Sequence, residues 1–187
     1  MRKALQTERI TTFMDALEDE ELDVNERGVF ENTVLHTAST FCEGWFYKRA
    51  LEELLKHDDI DINAQDMNGD TPFHLIVFRN HTSALHLFLG RAELNRQNYI
   101  GDTPLHVAIK KHHFDIMDSI IQVIDSSFLS IRNKDGFTTE ELARECRVHT
   151  RFHEPVLHRR ETVKEQTKVT GLDIEPGILG IIGEYAF

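Results

Sequence analysis

The sequence predicts an all-α array of stacked helix-turn-helix units, and two observations carry that prediction. Gly69-Asp70-Thr71-Pro72-Phe73-His74 recurs 32 residues later as Gly101-Asp102-Thr103-Pro104-Leu105-His106. A second signal keeps step with it: Asp23-Val24-Asn25, Asp61-Ile62-Asn63, Glu93-Leu94-Asn95 and a degenerate Phe128-Leu129-Ser130 each end six residues before the Gly position of a copy. A looser copy, Glu31-Asn32-Thr33-Val34-Leu35-His36, lies upstream, and a worn one, Gly136-Phe137-Thr138-Thr139-Glu140-Glu141-Leu142-Ala143, lies downstream. Repeats of this period mark arrays in which each unit buries its apolar face only by stacking on a neighbour.

Residues 1–28 read as an N-terminal capping half. Thr11, Phe13, Met14, Ala16 and Leu17 ahead of Asp23-Val24-Asn25 suit the second helix of a unit whose first helix is missing, and Glu8, Arg9, Asp15, Glu18, Asp19 and Glu20 supply the polar outer face that ends an array. The repeats then occupy 29–66, 67–98, 99–133 and a degenerate 134–147. Thr71 and Thr103 are N-caps, and Pro72 and Pro104 fit the first helical position, where an N–H is unpaired anyway. Gly69, Gly101 and Gly136 supply the positive φ of a tight turn, with Asn68-Gly69 and Asp135-Gly136 as turn pairs, and Asn80 suits a left-handed cap. Leu105, Ala108 and Ile109, then Phe114, Met117, Ile120, Ile121 and Ile124, fall at helical spacing, which makes two short helices per copy. In the last copy Thr139 replaces the proline and Glu141 the histidine, and the pattern departs after Ala143. Thr71 to Asn95 spans 24 residues, Thr103 to Ser130 spans 27 and Thr33 to Asn63 spans 30. The six extra residues of the first copy relative to the second are expected between its paired helices, in Ser39 to Lys48.

Residues 148–171 are polar and read as a linker or exposed helix. In 172–187, Ile178, Ile181, Ile182 and Tyr185 recur at helical spacing after Pro176, which predicts a short apolar C-terminal helix.

On these motifs the chain resembles the ankyrin repeat proteins over roughly residues 10–145. That family's pattern sets a Gly, Thr-Pro-Leu-His, and a Gly-His turn between two antiparallel helices, and closes each copy with Val-Asn before a finger-like turn. Asn80-His81 and His112-His113 stand at the Gly-His position. The resemblance implies a solenoid with finger-like turns and a C-terminal helical tail. It further implies a non-catalytic protein-protein interaction module, an intracellular adaptor or inhibitor that occupies its target through a concave face. The layout is similar to viral inhibitor-of-NF-κB-like ankyrin proteins and to ankyrin effectors of intracellular bacteria, whose targets are host proteins. Residues 172–187 either dock on the last repeat and close the array, or resemble the truncated F-box-like tails that recruit ubiquitin-ligase components.

Composition bounds the partners. The chain has 187 residues, 40% hydrophobic, with 21 Lys+Arg against 32 Asp+Glu and a formal net charge of -11, which suits one domain with a tail. No apolar run reaches the length of a membrane span and no export signal is visible, so neither a membrane nor a secreted role is expected. Cys42 and Cys146 make no disulfide framework and suit a reducing, cytoplasmic compartment. The acidity opposes a general grip on nucleic acid, which needs clustered Lys and Arg. It is also local: residues 1–66 hold 16 acids and 7 bases. A monomer is expected, with a basic surface of its partner toward the N-terminal end and an association that weakens as salt rises.

Eleven histidines invite a chemical reading. His36, His74 and His106 recur at the fourth motif position and His81 and His113 at the inter-helix turn, which makes them structural, and His57 and His86 have no companion in phase. Cys146, His149 and His153 would share one face if residues 140–154 formed a single helix, a zinc-compatible set short of a fourth ligand, since Pro155 breaks the helix before His158. A small zinc-dependent module is thus the distant alternative. No nucleophile motif, phosphate-cradling loop or paired-carboxylate arrangement is visible, so no catalytic residue, cofactor or metal is expected. The expected contact residues lie on the finger tips and at the ends of the first helices: Met67, Asn68, Tyr99, Ile100 and Lys134, and Phe41, Phe78, Arg79, Lys110 and Lys111, with Trp45 beside them. Met67, Phe78, Tyr99 and Ile100 are the apolar anchors of that set.

Overall fold

The computed structural model describes residues 23–42 and 45–148. Six α-helices lie in these residues: α1 (Val34–Thr40), α2 (Trp45–Leu54), α3 (Pro72–Phe78), α4 (Pro104–Lys111), α5 (Phe114–Val123) and α6 (Thr139–Glu145). The described residues contain no strand, only an isolated bridge between Arg132 and Thr138. The helical array expected from the repeats is the observed fold. The N-terminal half-repeat up to residue 22, and the segments 149–171 and 172–187, lie outside the described residues.

Each first helix starts where its sequence requires. Thr71 and Thr103 have extended backbones, and their hydroxyls accept the N–H of His74 and His106, satisfying one of the amides that every helix start leaves unpaired. The same reciprocal box closes α1 through Thr33 and His36. The worn copy keeps it by another residue: the Thr138 hydroxyl accepts from Glu141 N–H, and the Glu141 carboxylate accepts from Thr138 N–H at 2.9 Å. Thr-x-x-Glu is itself a capping box. The loss of Pro and His in this copy therefore costs it no helix start.

The first helices stack in sequence, α1 on α3, α3 on α4 and α4 on α6. Leu35, Phe73, Ile76, Leu105, Ile109, Leu142 and Ala143 fill the seams. The second helices form the other layer. α5 buries Ile116, Met117, Ile120 and Ile121, the positions that recur at helical spacing. The second copy departs from the two-helix expectation, since Thr82–Leu87 is a 3-10 helix. Its copy is three residues shorter than the third, about one helical turn. Six residues at a 3-10 rise of about 2 Å cover about the length of eight in an α-helix. The tighter winding lets the short segment span the layer and seat Phe88, whose ring lies 5.7 Å from that of Phe73.

The first copy corrects the expected placement of its extra residues. α2 begins twelve residues after Thr33, against eleven from Thr71 and Thr103 to the second elements of their copies. Only one residue lengthens the turn, and Trp45 to Lys48 form the first turn of α2. The remainder goes into a longer α2 and the loop after it, where burying Ala50, Leu51 and Leu54 holds a full helix that the second copy lacks.

Between copies the chain makes fingers whose backbones are bonded in series. Met67 N–H donates to Phe30 O at 3.0 Å, Tyr99 N–H to Asn68 O at 2.9 Å and Lys134 N–H to Ile100 O at 3.1 Å. Gly101 sits at φ +79, and a Cβ there would meet Lys134 N at 2.6 Å; Gly136, at φ +86, has nothing within 4 Å. Gly101→Ala is therefore expected to cost about 2 kcal/mol or more, and Gly136→Ala only the left-handed penalty of about 1 kcal/mol. Urea titration of the two variants checks this, and equal losses would remove the close approach as the cause.

Candidate protein-binding surface

The floor of the surface is held by the repeated histidines. Thr71 N–H donates to His74 Nδ1 at 3.2 Å, which makes Nδ1 an acceptor and leaves the proton of the neutral ring on Nε2. Nε2–H then donates to Asp102 O, in the next copy, at 3.1 Å. His36 reaches Asp70 O and His106 reaches Phe137 O in the same way, each at 3.1 Å. Each imidazole thus caps its own helix and ties it to the following finger. Burial, the dominant cause, pulls all three rings below the ordinary histidine range, His74 to about 4. His81 and His113 bond the preceding first helices at Thr40 O (3.1 Å) and Val77 O (2.8 Å).

A polar row runs beside them. Asn98 Nδ2–H donates to Asp70 at 2.8 Å, and Asn133 Nδ2–H to Asp102 at 2.8 Å. Gln97 Nε2–H bridges Gly101 O and Arg132 O. Asp102 is almost wholly buried and receives the Lys110 ammonium at 2.7 Å. Asp70 holds the same position one copy earlier, but Phe78 stands where Lys110 does, and burial pushes the Asp70 carboxyl up. In the fourth copy Arg132 pairs with Glu141 at 2.6 Å and holds that carboxyl at about 2.

The expected contact residues are distributed over this scaffold in two sets. Met67, Tyr99 and Ile100 stand on finger tips, and Phe41 and Phe78 at the ends of α1 and α3, with Trp45 at the start of α2; their exposure runs from 46% for Phe78 to 58% for Tyr99 and Ile100. Tyr99 is not free of its neighbour, since a Cβ on Gly69 would meet its ring at 2.5 Å. Asn68 and Lys134 are exposed, and their backbones belong to the ladder between fingers. Lys111 Nζ lies 4.1 Å from the centre of the Phe78 ring, and the Arg79 guanidinium 5.8 Å from it. Lys110 turns inward to Asp102 and to Asp135 at 3.5 Å. Sequence reasoning did not single out the Asp102–Lys110–Asn133 cluster or the Arg132–Glu141 pair. Asp102 lies inside the repeated motif, and its role shows only once the neighbouring copy is stacked on it.

The zinc arrangement is corrected by the backbone. α6 ends at Glu145, Cys146 is its C-cap, and Arg147 turns left-handed at φ 58. Val148 N–H then donates to Ala143 O at 2.9 Å, as His81 does to Ile76 O and His113 to Ala108 O. The chain turns here as it does between the paired helices of copies two and three, so the single helix needed to align Cys146, His149 and His153 is broken. His149 and His153 themselves lie outside the described residues. Among the described residues no three His, Cys, Asp or Glu side chains are grouped to hold a metal, and no helix is long and apolar enough to cross a membrane.

Comparison with known families matches residues 35–127 to the ankyrin repeats (3 copies). No curated protein matches the chain significantly. The matched residues hold the Thr71–His74 and Thr103–His106 caps, the Tyr99–Asn68 bond between fingers and the Asp70–Asn98 link, and with the same cap at Thr33 and the same link at Asp102 on either side the chain belongs to the ankyrin repeat proteins.

Proposed function

We propose that the protein is a non-catalytic intracellular adaptor or inhibitor that acts by occupying another protein through its finger tips and the ends of its first helices. The observation that carries this reading is the exposed apolar row Met67, Tyr99 and Ile100, mounted on backbones that are bonded copy to copy. A rigid mount lets apolar anchors bind without paying much ordering entropy. The exposed acids at and before the first copy, among them Glu26, Glu31, Asp58, Asp59 and Asp61, suit a basic region of the same partner. The more specific roles, an inhibitor-of-NF-κB-like suppressor or a pathogen effector aimed at a host protein, belong to this reading as its finer forms. An F-box-like use of residues 172–187 lies outside the described residues.

Affinity capture from cell lysate with quantitative mass spectrometry tests the reading. Met67→Ala, Phe78→Ala and Tyr99→Ala combined are expected to reduce recovery of the specific partner at least tenfold, with circular dichroism unchanged. Undiminished recovery of every partner by the folded triple variant would move the interface off this surface.

A further inference from the structure

The ends of α1, α3 and α4 follow one another along the stacked array and make a ridge of adjacent copies. His81 of the second copy bonds Thr40 O, beside Phe41, and His113 of the third bonds Val77 O, beside Phe78. Phe41, paired with Tyr47 at 5.4 Å, follows the end of α1, Phe78 ends the α3 stacked on it, and Lys111 of the next copy lies over the Phe78 ring. Phe41 and Phe78 are both about half exposed.

The charge on this ridge is not what the acidic chain suggests. Lys110 is neutralised by buried Asp102 and reaches Asp135. Among the described residues no carboxylate lies within ion-pair distance of Arg79 or Lys111, whose cations sit instead against the Phe78 ring. The C-terminal end of a helix favours a cation nearby, which explains why Lys111 is tolerated there. It does not explain an exposed phenylalanine between two cations. Covering Phe78 removes water from both of them, and a desolvated cation needs a carboxylate to remain favourable.

We infer that the ridge of Phe41, Phe78, Arg79 and Lys111 binds a segment of the partner protein that carries carboxylates beside an apolar side chain. The inference rests on the reading of this array as a protein-binding surface. The apolar side chain lies on Phe41 and Phe78, and the carboxylates pair with Arg79 and Lys111. A basic segment would bring like charge onto both cations, so the ridge discriminates by sign. The partner therefore presents an acidic, apolar strip here and its basic region toward the first copy.

Two short fluorescein-labelled peptides with the same central Leu-Phe pair, flanked by Glu in one and by Lys in the other, test this against the full chain by fluorescence anisotropy. The Glu peptide is expected to bind, and the Lys peptide at least tenfold more weakly. Arg79→Gln with Lys111→Gln, and separately Phe78→Ala, should each weaken the Glu peptide about tenfold, while Lys56→Gln leaves it unchanged. Equal binding of the two peptides, binding of neither, or an unchanged affinity in the folded Arg79→Gln/Lys111→Gln chain overturns the assignment. Residues 172–187 of this chain, with Asp173, Glu175 and Glu184 among isoleucines, are a rival occupant. A gain of about tenfold on their removal would overturn the assignment to a partner and give the ridge to them. Lysate capture repeated with Met67→Ala and Tyr99→Ala alone leaves Phe78 in place, so the peptide outcome can fail while the reading through the finger tips stands.

Discussion

Asp102→Ala is expected to lower the unfolding free energy by about 3 kcal/mol, the largest single loss in the array away from its apolar core. The carboxylate is buried and holds three donors' worth of contact: Lys110 Nζ at 2.9 and 2.7 Å on its two oxygens, and Asn133 Nδ2 at 2.8 Å. Removing one partner of a buried ion pair leaves the other charge and its hydrogen-bond donors unsatisfied, typically at about 3–5 kcal/mol. Lys110 is one-third exposed, so it can swing toward water, which places the cost at the low end of that range. Asp70 is the built-in comparison. It occupies the same motif position, yet Phe78 replaces the lysine and the Asn98 amide donates to it at 2.8 Å, so Asp70→Ala should cost about 1 kcal/mol. Urea unfolding of both variants measures the difference. Similar losses at Asp70 and Asp102 would show that the ion pair adds nothing to the link with the neighbouring finger.

Acidification from pH 7 to 5 is expected to weaken the array by about 2 kcal/mol through His74 alone. The ring is neutral when folded, with a pKa of about 4, against about 6.5 in the unfolded chain. The unfolded state therefore takes up a proton below pH 6.5 that the folded state refuses until pH 4, and stability falls with pH across that window. Protonation would place a hydrogen on Nδ1, where Thr71 N–H and the Thr71 hydroxyl already point. His36 and His106 are shifted in the same direction by the same burial and steepen the fall. Glu141 caps the fourth copy and stays ionised to about pH 2, so that cap is not lost in this window. His74→Gln should flatten the pH profile of unfolding free energy between pH 6.5 and 4.5, whatever it costs at pH 7. A variant profile parallel to the parent's would exclude His74 as the titrating group.

The residues that chemistry requires at fixed spacing are legible in the sequence. A Thr-Pro start, a Gly with positive φ and a histidine three residues after the cap are local devices, satisfied within one turn of chain, so Thr71, Gly69 and His74 announce their roles by position. The two-helix pattern of the third copy was equally readable because its apolar positions repeat at one period. The second copy's 3-10 helix was not, since Thr82 to Leu87 has an apolar pattern that two windings serve, and the choice was made by the span it must cover beneath Phe88. The extra residues of the first copy were misplaced for a related reason: a length difference says how many residues are added, but burial of Leu51 and Leu54 decides which of them become helix. The contact surface divides in the same way. The sequence could place Met67, Tyr99 and Phe78 outside the core, yet it treated Lys110 and Lys111 as equivalent neighbours.

By itself, then, the sequence determined the repeat, its helix starts, its turns and the family, because each is written in residues that act on their own backbone. Only the tertiary structure decided that Lys110 turns inward to an Asp102 buried by the neighbouring copy while Lys111 stays outside on Phe78, and that the helix expected through Cys146 stops there at a left-handed turn. Asn133 meets Asp102 across 31 residues and Lys111 meets the Phe78 ring from the next copy, and it is at such seams that desolvation sets which charges must be paired and which are left for a partner.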